Sequence, residues 1–181
     1  MKAMAETLET RAGKDAFTIS PVDDLTLAAA RYVVSMRVIE DRARHDLANV
    51  DDFGSLDFFA THPLIVFEPG SEAHAELVRH GFRETPDYLH PGAIHAGHLE
   101  MARPALAMLL GKRCIEARVD KALTWVLTPR GRAISEQLTG EYFAGHAFAL
   151  NGILDLVPKQ GTRWKELRDS WLNDTPRRTT I

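Results

Sequence analysis

Between residues 113 and 132 the periodicity of the chain changes, and that change limits the folds open to it more than any other feature. In Arg113–Val119 the residues Cys114, Glu116 and Arg118 alternate with Ile115, Ala117 and Val119. Leu123–Leu127 is rich in β-formers, and Asp120-Lys121-Ala122 lies between the two runs as a turn. Thr128-Pro129 follows at once, a side-chain cap with proline at the first helical position. The pattern predicts a two-stranded hairpin that runs directly into a helix.

On both sides of the hairpin the period is helical. Ser20-Pro21 with Asp23 and Asp24 signals a helix start, and Leu25, Ala28, Ala29, Tyr32, Val33, Met36 and Ile39 recur at three- and four-residue spacing, which predicts an amphipathic helix of about five turns. The dense cluster Leu56, Phe58, Phe59, Leu64 and Ile65 is interrupted by Pro63, so a short helix ends near His62. Ser71 caps a helix that stops at Gly81. From Ala93 to Leu110 the period is helical again, although Pro104 demands a kink or a new start. The helix after the hairpin extends through Val157 with Gly140 or Gly145 as possible breaks, and Thr162 caps a last helix carrying Trp164, Leu167, Trp171 and Leu172.

Helix, helix, longer helix, hairpin, helix is the order of a winged helix. The expected class is therefore mainly α: a winged-helix domain of three helices and a β-hairpin wing, with N-terminal and C-terminal helical extensions. Its expected bounds are residues 17–157, after a flexible arm at 1–16 and before a C-terminal helix and tail at 158–181. With 181 residues, 45% hydrophobic and 26% charged, the composition is that of an ordinary folded chain. One cysteine, no signal-peptide pattern and no apolar run of about 20 residues lead to the expectation of a cytoplasmic protein without membrane insertion. The formal net charge of −3 argues against a protein that coats nucleic acid, yet residues 92–131 hold 3 acidic and 6 basic side chains, so a local basic face exists.

A closer resemblance covers residues 50–157. The Phe58–Val66 cluster with its His62-Pro63, the Leu89-His90-Pro91 triplet before a helix, Leu109-Leu110 followed by Ile115-Glu116, the hairpin, the Thr128–Arg132 join and the Leu138-x3-Tyr142 pattern resemble the middle component of bacterial ABC-three-component systems, including Lamassu-type defence systems. The resemblance implies a non-catalytic accessory subunit that binds an SMC-like ATPase and an effector, commonly a nuclease. On that reading the apolar residues Tyr142, Phe143, Phe148, Ile153, Leu154, Trp164 and Trp171 are expected to meet partner subunits. The alternative is a homodimeric winged-helix transcriptional regulator with the 93–110 helix in the major groove. In either case Arg103, Lys112, Arg113, Arg118, Lys121 and Arg130 are the residues placed to contact nucleic acid.

Catalysis has no visible carrier. There is no Gly-rich phosphate loop, no Gly-x-Ser-x-Gly elbow and no Cys-x-x-Cys or His-Glu-x-x-His pattern. Hence no enzyme activity, cofactor, metal or small-molecule substrate is expected. His90, His95 and His98 could recruit zinc by residue type, but His90 precedes a proline in a loop, so ordinary surface or loop histidines are expected. Cys114 is expected to be a packed core thiol rather than a nucleophile.

Overall fold

The computed structural model describes residues 24–83, 90–119, 123–157 and 163–173. They form α1 (Leu25–Asp41), α2 (Val50–Thr61), α3 (Glu72–Arg79), α4 (Pro91–Gly111), β1 (Ile115–Val119), β2 (Leu123–Leu127), α5 (Pro129–Gln137), α6 (Glu141–Leu156) and α7 (Arg163–Asn173). Two short 3-10 turns, His45–Leu47 and Pro63–Ile65, join the early helices. The described residues are mainly helical with one small antiparallel sheet. The arm expected at 1–16, the cap Thr162 and the candidate contact Lys121 lie outside the described residues. No described helix is long and apolar enough to cross a membrane.

The caps explain where the helices begin. Asp24 accepts the amides of Thr26 and Leu27, Ser71 that of His74, and Thr128 that of Gly131, each side chain satisfying a donor that has no partner inside its helix. Asn49 caps α2, and Asp51 and Asp52 occupy its first turn. Three helices end alike. At the ends of α1, α3 and α4 the amides of Arg44, Phe82 and Cys114 reach back to Ile39, Leu77 and Leu109, with Ala43, Gly81 and Arg113 in the left-handed conformation. Pro104 lies inside α4 without splitting it. The helix expected over 132–157 is two helices, α5 and α6, and the break falls at Gly140, which occupies the N-cap of α6.

The middle of α1 is central, while Thr26 and Asp41 toward its ends are exposed. Every residue from Arg31 to Met36 is buried, as is every residue from Phe53 to Ala60 in α2, and a helix covered on all sides belongs in the middle of a fold. α2 packs on α4 and α6, and α1 packs on α4, α5, α6 and β2. Close approach of α2 to α4 depends on Gly54, where a Cβ would stand 2.9 Å from Leu99 Cδ2 and 3.0 Å from its Cα. One core gathers Tyr32, Phe53, Phe58, Phe59, Leu106, Ile115, Leu127, Leu150, Ile153 and Trp164, so α7 shares the core of the other helices.

In the hairpin Ile115 faces Leu127, Ala117 faces Trp125 and Val119 faces Leu123. Burial is confined to its base: Cys114, Ile115, Val126 and Leu127 are buried while Glu116 through Val119 are exposed. The base is fastened to α1, because Leu127 N donates to Glu40 Oε1 at 2.8 Å and Arg132 pairs with Glu40 Oε2 at 2.5 Å. Trp125 N adds a bond to the Ala48 carbonyl at 3.1 Å.

Candidate functional site

Most of the polar side chains that reach the interior come from four helices. Arg31 and Ser35 are one turn apart on α1, Tyr142 and His146 one turn apart on α6, Ser55 and Asp57 lie on α2, and His95 and His98 on α4. Arg31 and Asp57 are each 1% exposed and form a two-pronged pair, Nε to Oδ1 at 2.6 Å and Nη2 to Oδ2 at 2.8 Å. His98 Nδ1 stands 2.8 Å from Asp57 Oδ2, and an ionised carboxylate only accepts, so His98 carries its proton on Nδ1. Burial by itself would raise the Asp57 carboxyl; the His98 bond and the Arg31 charge outweigh it and hold the group well below the usual carboxylate range. Burial likewise opposes the charge on Arg31, and the facing carboxylate overrides it.

Around this pair two further histidines meet serine hydroxyls. His146 Nε2 meets Ser35 Oγ at 3.0 Å and His95 Nε2 meets Ser55 Oγ at 3.0 Å. Burial pushes both histidines down to about 4, helped at His95 by the Arg168 charge. Tyr32 and Tyr142 are pushed up, chiefly by burial. Tyr142 is half-exposed by its ring, yet its hydroxyl accepts from Arg31 Nη1 at 3.4 Å, so it covers the ion pair from outside. The rings of His62, His95 and His98 are all packed about Phe58, with centroid separations of 5.0, 5.3 and 5.6 Å. Such a layer closes its own charges and fixes which helix faces which.

The histidine expectation therefore needs correction. His90 is exposed, but His95 and His98 are interior residues, because α4 turns their shared face onto α2. They go to different partners, Ser55 and Asp57, and no group of three metal-ligating side chains is found among the described residues. Cys114 is buried just before β1 with its Sγ 3.7 Å from the Lys112 carbonyl. The ion pair itself escaped the sequence reading. Its signal was there: Arg31 stands among Ala28–Val34 and Asp57 between Leu56 and Phe58, each a full charge inside an apolar run.

The residues expected to meet partners separate in the fold. Ile153, Leu154 and Trp164 belong to the core of this chain, which corrects that expectation: α6 turns Ile153 and Leu154 onto α1 and α2, and from α7 Trp164 donates to Asp52 Oδ1 at 2.7 Å beside Phe59. Burial raises the Asp52 carboxyl against that bond. Trp171 is half-buried with its ring edge-on to Phe59 at 5.0 Å, and Phe143 is half-buried against Tyr142. Phe148 is exposed beside His80. Arg103, Lys112, Arg113, Arg118 and Arg130 are all exposed, with Arg118 bonded to Glu116.

Other surfaces face outward besides Tyr142 and Phe148. Ala93, Ala96, Glu100, Arg103, Ala107 and Leu110 are spaced three and four apart and form a single exposed or half-exposed stripe along α4. At the end of the hairpin Val119 is 80% and Leu123 47% exposed, an apolar pair that faces no part of its own core. No family model, no curated protein and no solved structure matches the chain.

Proposed function

We propose that the chain is a non-catalytic winged-helix accessory subunit of a cytoplasmic SMC-like ATPase complex of the Lamassu type, where it binds the ATPase and its effector in anti-phage or anti-plasmid defence. Support comes from the order of helices, hairpin and capped helix and from the resemblance of residues 50–157. The observation that carries the reading is the outer stripe of α4. In a winged-helix DNA reader the corresponding helix enters the major groove and needs donors and acceptors for base edges. Here the stripe is three alanines, a leucine, one glutamate and one arginine. Alanine and leucine give a groove nothing to read but allow a second helix or sheet to pack closely.

The second reading, a homodimeric winged-helix regulator, draws on Lys112, Arg113, Arg118 and Arg130, all exposed around the hairpin. Those residues suit phosphate contacts, which add salt-sensitive affinity without choosing a sequence. Co-expression with the products of the neighbouring genes, followed by size-exclusion chromatography, separates the two. The expected result is co-elution that Ala96→Glu with Ala107→Glu abolishes while circular dichroism stays unchanged. A chain that elutes alone and binds one duplex sequence with nanomolar affinity overturns the accessory reading.

A further inference from the structure

The two edges of the hairpin are not equivalent. Along an antiparallel strand the backbone groups of successive residues face alternate sides, so one known direction fixes the rest. Trp125 N points away from β1 to the Ala48 carbonyl and Leu127 N points away to Glu40, while Thr128 N points inward to the Cys114 carbonyl. Ile115, Ala117 and Val119, opposite Leu127, Trp125 and Leu123, must then turn their own N–H and C=O groups away from β2. The outer edge of β2 is occupied by Ala48 and Glu40. Among the described residues nothing bonds to the outward groups of β1.

This edge also lacks the usual protection. No proline or lysine interrupts Ile115–Val119, the outward residues Ala117 and Val119 are small or apolar and exposed, and the one arginine, Arg118, is bonded to Glu116 on the opposite face. The surroundings are charged in one sense. The exposed charged residues described from 112 to 130 are Lys112, Arg113, Glu116, Arg118 and Arg130, four basic and one acidic, which is a net +3.

We propose that the outer edge of β1 is a docking site for an extended segment of a partner protein, which adds a third strand, lays apolar side chains at alternate positions over Ala117, Val119 and Leu123, and carries acidic residues at its flanks. The inference rests on the protein-binding reading above and names the surface and the chemistry of one partner segment.

The probe is a synthetic nonapeptide of alternating Val and Thr with Asp at both ends, added to the full chain while backbone hydrogen exchange is followed. Saturable protection of the Ala117 and Val119 amides is expected. Affinity should fall about tenfold or more when the flanks are Lys, when the central peptide residue is Pro, or when the protein carries Ala117→Pro, which removes an outward N–H without removing a ladder bond. Should Ala117→Pro lower the melting temperature, Ala117→Asp keeps the backbone and repels the acidic flanks, with the same expected loss. No protection at peptide concentrations up to about 1 mM, or equal binding by the Pro-containing peptide, overturns the proposal. So does a wild-type dimer that Ala117→Pro converts to monomer, since the edge would then belong to a second copy. In the co-expression assay, loss of the ATPase by the α4 double variant but not by either Ala117 variant rejects the edge and keeps the accessory reading. Peptide protection with no ATPase bound by the wild type does the reverse.

Discussion

At the scale of the residue, the fold stores two histidines without their protons. His95 and His146 titrate near 6.5 in an unfolded chain and at about 4 in the folded one. Between those values the unfolded chain binds more protons, so stability is complete above pH 6.5 and falls as pH drops toward 4. Two protons taken up on unfolding correspond to a slope of up to about 2.7 kcal/mol per pH unit. Urea midpoints at pH 7, 6 and 5 should show this, and His146→Gln, which keeps a partner for Ser35, should roughly halve the slope. An unchanged slope in that variant would place the uptake at other groups. These residues were hard to recognise in the sequence for a physical reason. A histidine among alanines reads the same whether its face meets water or a neighbouring helix, and the facing helix comes from residues about 40 or 111 positions away. Arg31 and Asp57 were more legible, since a full charge inside an apolar run demands a partner.

At the scale of the element, the local signals were sufficient. Asp24, Ser71 and Thr128 cap the helices that their side-chain chemistry announces, and the change from period 3.6 to period 2 at residue 115 marks the hairpin. The fastening of hairpin to helix was not legible, because it lies in a distance between backbones. Thr128 Oγ1 donates to the Arg113 carbonyl at 2.8 Å, and Gly131 lies so close to the same segment that a Cβ would stand 2.0 Å from the Cys114 oxygen. Gly131→Ala must therefore displace α5 or break the Thr128 N to Cys114 bond, a destabilisation of about 2–4 kcal/mol in chemical denaturation. Gly111→Ala is the control. It adds a methyl in open space at the end of α4 and should be neutral or stabilising by up to about 1 kcal/mol. Equal effects at the two positions would mean that the join is not tight.

At the scale of the whole molecule, the sequence predicted surplus apolar surface and the structure shows where it goes. The period of α6 and α7 predicts a stripe available to partners, but the middle of α1 and most of α2 are covered on all sides, and α4, α5, α6 and α7 share in covering them. Counting apolar positions in one helix cannot reveal how many helices must surround another. Ile153→Asp is accordingly expected to unfold the isolated chain, since it places a carboxylate without a partner at a position that is 0% exposed, a loss of roughly 4 kcal/mol or more. Far-UV circular dichroism and a melting curve of the variant alone test this, and a folded variant that merely loses its partners would restore Ile153 to the surface. The ion pair at the centre has a consequence for how such a chain can vary. Arg31, Asp57 and His98 sit on three helices, and none is tolerable in the interior without Asp57 as common acceptor. A lineage cannot exchange them one at a time through stable intermediates. Descendants of this sequence should keep the trio intact or replace Arg31, Asp57 and His98 together, leaving a coupled substitution as the historical trace of a contact that no single helix records.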